Sequence, residues 1–149
     1  IFYFIKNLDE SSVSASTFYI DVIGDLQDIA QSVGFISKVS HKHIHNNHKG
    51  LKENQANELK EIDSKLNHLL GKIRVIFDSR SFDQIASIIE EKQELLNDVS
   101  SYAQKQVERT RTSESSPKNT TLYFSILLET EDLIKATMDL LELYSTQKK

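Results

Sequence analysis

Asp21, Asp25 and Asp28 stand four and three residues apart, which on an α-helix sets three carboxylates in one row. Such a row supports two kinds of chemistry. It is the hydrated edge of an amphipathic helix, or it holds a hard cation through oxygen ligands. Like charges one turn apart repel by a few tenths of a kcal/mol, and a cation lodged between helices turns that cost into a gain. A second group, His41, His43, His45 and His48, lies farther along, with Lys38, Lys42, Lys49 and Lys52 around it. Imidazoles bind transition metals, but alternate residues on a helix point to different faces, so His41 and His45 share a side that His43 does not. The cluster also fits a helix C-terminus, whose dipole favours cations, or a contact with anionic lipid. His41, His45 and His48 are the residues assigned to the secondary metal or lipid reading.

The elements that position these groups are long helices. With one proline and four glycines in 149 residues, and with Leu, Ile, Lys, Glu, Gln and Ser dominant, few chain reversals are available and the class is all-α. The first helix is predicted from about Leu8 or Ser11 to about Ser40, with Phe18, Val22, Leu26, Ile29, Val33 and Ile36 as its core stripe. Gly24 inside it costs about 1 kcal/mol relative to alanine, which points to close packing by a neighbouring helix or a ligand. A second helix is expected from Leu51 to about Phe77, with Leu59, Ile62, Leu66, Leu69, Ile73 and Ile76 inward and His68 on its flank.

After Asp78-Ser79-Arg80-Ser81, the pair Ser81 and Gln84 has the spacing of a capping box for a third helix. Its core face is read as Phe82, Ile85, Ile89, Leu96, Val99, Tyr102 and Ala103, continuing toward Val107. The polar stretch Thr110 to Ser116 has no apolar period and is the expected mobile loop. Ser116 as N-cap and Pro117 at the first helical position start the last helix, with Leu122, Tyr123, Ile126, Leu133, Ala136 or Thr137, Leu140, Leu141 and Tyr144 inward. Short connections make neighbours antiparallel, so residues 1–149 are expected to form one domain, an elongated antiparallel bundle of about four long helices.

Several functions are excluded or disfavoured by what the chain lacks. A formal net charge of -4 argues against nucleic acid as a partner, which needs a concentrated positive face. The charge is uneven, however: Asp9 to Asp28 contains acids and no base, whereas Ile29 to Lys52 contains lysines and histidines and no acid. Without cysteine there is no disulfide, thiolate metal site or cysteine nucleophile. No glycine-rich phosphate loop or metalloprotease helix motif is present, so an enzyme is not expected. The longest apolar run, Ile1 to Ile5, falls short of the roughly 20 residues of a membrane span and lacks the flanks of a secretory signal. A chain opening on aromatics without methionine reads as a domain from a larger protein, and Phe2, Phe4 and Ile5 allow a homodimer.

The run Tyr19-Ile20-Asp21-Val22-Ile23-Gly24-Asp25-Leu26 resembles the helical signature of the phosphate-uptake regulator PhoU, where an acid, three residues and an aspartate follow an aromatic-aliphatic pair. Phe2 to Leu8, His45-Asn46-Asn47-His48-Lys49, Ser116-Pro117-Lys118-Asn119 and Leu122-Tyr123 are similar to the PhoU-like C-terminal region of bacterial sodium/phosphate cotransporters. The resemblance implies a PhoU-like cytoplasmic domain at the inner membrane that regulates or scaffolds the transmembrane part of the same sodium-dependent phosphate transporter. It also implies a divalent or ferric ion at Asp21 and Asp25, with Asp28 beside them. A second acid motif would fall near Glu129, but Leu133 stands where its aspartate belongs, which leaves at most half of a multinuclear site. Apart from the resemblance, the residues fit equally a purely structural bundle or dimerisation module without a ligand.

Overall fold

The three-and-four spacing of apolar residues is realised as helix in every predicted segment. The structure, a computed structural model, describes residues 10–112 and 114–146, with side chains for 13–112 and 114–145. Helix α1 spans Glu10–His45, α2 Glu53–Ser79, α3 Ile85–Arg111 and α4 Pro117–Thr146. A 3₁₀ turn, Phe82–Gln84, precedes α3, and no strand occurs among the described residues. The protein is thus an all-α bundle. No helix among the described residues is long and apolar enough to cross a membrane. The expected homodimer contacts Phe2, Phe4 and Ile5 lie outside the described residues.

Helices α2, α3 and α4 build the core. It joins Ile62, Leu69, Ile73 and Ile76 of α2, Ile85, Ile88, Leu95, Val99 and Tyr102 of α3, and Tyr123, Leu127, Ile134, Met138 and Leu141 of α4. Full burial of each such side chain contributes about 1.5–3 kcal/mol. Ion pairs and hydrogen bonds along α2 and α3, Lys65 with Asp98 at 2.6 Å and Tyr102 with Glu61 at 2.6 Å, confirm that the two run antiparallel. Helix α1 lies against α4, its Phe18 edge-on to Tyr144 at 5.3 Å between centroids. The packing order is therefore α1–α4–α3–α2.

Position at the end of this row changes what α1 buries. Among its described residues only Ser32 and His43 are fully buried, with Phe18, Val22, Asp25, Ile29 and Ile36 half-buried on the same side. Leu26 and Val33, read from the sequence as core, are 51% and 52% exposed. A helix with one principal neighbour needs only a narrow seam, and the space beyond α4 is already filled from α2 and α3. Gly24 is another correction: a Cβ built there meets nothing within 4 Å, so no helix approaches it closely. On α3 the buried line passes through Ile88 and Leu95, leaving Ile89 and Leu96 as partly buried flanks and Val107 exposed.

The connections also differ in part from expectation. Helix α1 continues five residues past Ser40, so His41, His43 and His45 are helical. The predicted capping box at Ser81 and Gln84 is absent, because Gln84 N–H donates to the Ser81 carbonyl at 3.0 Å and closes the 3₁₀ turn instead. Helix α2 ends on Arg80 in the left-handed region (φ 55°), with Ser81 N–H donating to the Ile76 carbonyl at 3.1 Å. The Ser116 cap is present, its Oγ accepting from Asn119 N–H at 3.2 Å.

The two ends of the bundle are held by different chemistry. Phe77, Phe82 and Tyr144 form an aromatic cluster that Phe18 joins. At the opposite end Glu58 of α2 pairs with Arg109 of α3 and accepts from the Tyr123 hydroxyl of α4. Gln55 donates to Gln106 at 2.9 Å and to Ser115 at 3.2 Å, while Gln106 donates to Thr120 at 3.1 Å. Ser115 is buried in this network, so the polar loop expected to be mobile is anchored there.

Candidate functional site

The carboxylate row of α1 has a counterpart on α4. Asp132 and Asp139, seven residues apart, share one line of that helix, with Glu129 and Glu142 three residues outside them on its two sides. Antiparallel packing sets the two lines along opposite walls of a groove. One hollow of about 620 Å³ is lined by Asp21, Gly24, Asp25, Asp28, Asp139 and Glu142, with Ile20 and Leu143 at its apolar edge. It adjoins a second, of about 370 Å³, which shares Asp28 and Asp139 and adds Gln31, Ser32, Glu129, Asp132 and Lys135.

The groove is strongly one-signed. Among the described residues lining it the only base is Lys135, and its ammonium is held by Glu131 one turn earlier at 2.5 Å. Asp25, turned partly inward on the α1 seam, has its carboxyl raised above the usual carboxylate value. Burial is the main cause, and the charges of Asp139, Asp28 and Asp21 add to it in that order. The repulsion expected from the sequence between Asp21 and Asp25 is thus present and is increased from across the groove.

Carboxylate oxygens without histidine or thiolate suit hard cations such as Mg, Mn, Ca or ferric iron. Among the described residues, however, no three His, Asp or Glu side chains come together so as to hold one ion. A closed coordination cage or multinuclear cluster does not fit this groove. What the arrangement supports is a hydrated cation that keeps most of its waters and touches one or two carboxylates.

The histidines fall into two pairs. His41 and His45 stack on the exposed side of α1 with ring centroids 5.8 Å apart. His43 is buried and its Nε2 lies 2.9 Å from the Lys49 carbonyl oxygen, tying the end of α1 to the following loop, and His48 packs beside it at 5.1 Å. His48 therefore associates with His43 and not with His41 and His45. His68 is exposed on α2.

Asp139 and Glu142 lie beyond the acid motif expected near Glu129 and are not foreseen by it. Asp139 stands seven residues after Asp132 and Glu142 three beyond Asp139, and that spacing was the available signal. Glu129 and Asp132 line the groove, while Glu131 between them holds Lys135. No protein-family model, curated protein or solved structure matches this chain.

Proposed function

We propose that this chain is a non-catalytic regulatory and interaction domain in which cations act on the seam between α1 and α4. The observation that carries the reading is the pair of facing carboxylate lines, Asp21, Asp25 and Asp28 against Asp139 and Glu142, with Asp25 destabilised in its charged form. A hydrated divalent or ferric ion in the groove relieves that repulsion and draws α1 onto α4, while its loss loosens a helix that contributes no fully buried apolar residue among the described residues. The bundle would then report cation status through the position of α1. The resemblance of residues 19–26 to PhoU supports the same reading and supplies its setting: a PhoU-like domain on the cytoplasmic face of the inner membrane, acting on the transmembrane part of a sodium-dependent phosphate transporter.

Isothermal titration with Mg, Mn, Zn and ferric iron tests the cation role. Binding of Mg or Mn that weakens severalfold in Asp21→Ala and Asp25→Ala is the expected result. Flat traces for the parent and both variants would remove the cation role. The transporter setting is tested by the gene: several spans of about 20 apolar residues encoded upstream of Ile1 support it, and their absence favours the purely structural bundle.

A further inference from the structure

The groove between α1 and α4 changes sign along its length. On α1, Val39, Lys42, His43 and Asn46 follow Asp21, Gly24, Asp25 and Asp28 by about five helical turns each, so they continue the same wall about 27 Å farther on. A hollow of about 260 Å³ opens there, lined from α4 by Lys118, Leu122 and Ser125 and from the loop after α1 by His48. No Asp or Glu lines it, and the sequence has none from Ile29 to Lys52 or from Ser115 to Leu128. What this half of the groove gathers is hydrogen-bond donors. Lys42 and Lys118 come from different helices, and neither ammonium is paired with a carboxylate among the described residues. The Asn46 amide and the half-buried Ser125 hydroxyl likewise have no partner among them. His43 is buried, and because a carbonyl oxygen only accepts, its Nε2, 2.9 Å from that of Lys49, carries the ring proton. This contact holds the ring in one tautomer at the wall of the hollow, with the His48 ring centroid 5.1 Å from its own.

We propose that this hollow binds a tetrahedral oxyanion, with a phosphate group as the chemistry that fits it. Two lysine charges match the charge of about −1.5 to −2 that a phosphate monoester carries at pH 7. Hydroxyl and amide donors on the two walls suit its several acceptor oxygens, and charge-assisted bonds to Lys42 of α1 and Lys118 of α4 would tie the two helices through the ligand. Protonation of His43 and His48 adds charge and donors to the same hollow, where Lys42 and Lys118 are the other charged groups and no carboxylate competes. The phosphate group arrives either as the free anion or as the headgroup of a lipid phosphomonoester. The inference does not depend on cation binding in the acidic half of the groove.

Isothermal titration of the parent chain with sodium phosphate at low ionic strength is expected to show one site of millimolar affinity or tighter. Lys42→Ala and Lys118→Ala should each weaken it at least fivefold, whereas Lys38→Ala, on α1 but outside the hollow, should leave it within twofold. Lys42 and Lys118 are exposed, so circular dichroism should show unchanged helix content. Sulfate keeps its full charge in mild acid while imidazoles gain theirs, so sulfate affinity should rise severalfold from pH 7.5 to pH 5.5, and rise less in His48→Gln. Flotation with phosphatidylcholine vesicles containing phosphatidic acid separates the two sources. Protein that floats, and no longer does so with Lys42→Ala and Lys118→Ala combined, takes the headgroup; protein that binds phosphate and does not float takes the free anion. A parent chain that binds neither phosphate nor these vesicles overturns the proposal, as does binding that the double variant leaves intact. A sulfate affinity independent of pH removes the histidines from the site.

Discussion

Replacing Asp25 by asparagine tests the electrostatics of the groove directly. The side chain keeps its shape and nearly its helix propensity, but loses its charge. Asp21 and Asp28 stand one turn away on either side, each pair worth a few tenths of a kcal/mol in repulsion, and Asp139 acts from across the groove. Their sum, with the relief of burying a neutral group, gives a stabilisation of about 0.5–1 kcal/mol at pH 7. For a chain of this size that is a rise in Tm of roughly 1–4 °C. The pH dependence fixes the cause. Asp25 titrates higher in the folded than in the unfolded chain, so its protonated form favours folding in acid, and that contribution is lost as pH rises through the folded value. The advantage of Asp25→Asn should therefore be full at pH 7 and close as pH falls below the usual carboxylate range. Salt should shrink it as well, the screening length being about 10 Å at 0.1 M. Thermal melts at pH 7 and pH 3, in low and high salt, provide the assay. A variant that melts at or below the parent temperature at pH 7, or a gain unchanged by acid and salt, refutes the account.

Two further substitutions probe the scaffold. Glu58→Gln leaves the Arg109 guanidinium, which Glu58 holds in its charged form, buried without its counter-charge. A loss of about 3 kcal/mol is expected in denaturant melts, with much of it recovered when Arg109→Met is added; a loss below about 1 kcal/mol would show the pair to be solvated. Gly24→Ala meets no neighbouring atom and should stabilise α1 by up to about 1 kcal/mol. Destabilisation there would mean that something approaches Gly24 closely.

The sequence carried the helices because their apolar periods are long and their breaks few. Ile62, Leu69, Ile73 and Ile76 lie where the period of α2 puts them, and Ser116 caps α4 as its type predicts. The acidic row was legible as a row, but not its opposite wall, since the pairing of Asp25 with Asp139 depends on which helices become neighbours. The same ignorance misplaced Leu26 and Val33. Two adjacent apolar lines run along α1, and only the order α1–α4–α3–α2 decides which of them is covered. The Gln55, Gln106 and Glu58 network gave no warning, because buried glutamines and glutamates are compositionally indistinguishable from surface ones.

That network has a consequence for how the bundle can deform. Shifting α2 along α3 by one helical turn, about 5.4 Å, would still let isoleucines and leucines meet isoleucines and leucines. It would strand Gln55, Gln106, Glu58 and Arg109 without partners in a dry interior, each at a penalty of about 1–3 kcal/mol or more. The aromatic cluster of Phe77, Phe82 and Tyr144 at the other end contains no directed contact of that kind, and there the short connection between α2 and α3 holds the two helices together. The polar network is thus a pin that fixes the helices lengthwise, together with the Lys65–Asp98 and Tyr102–Glu61 contacts farther along α2 and α3.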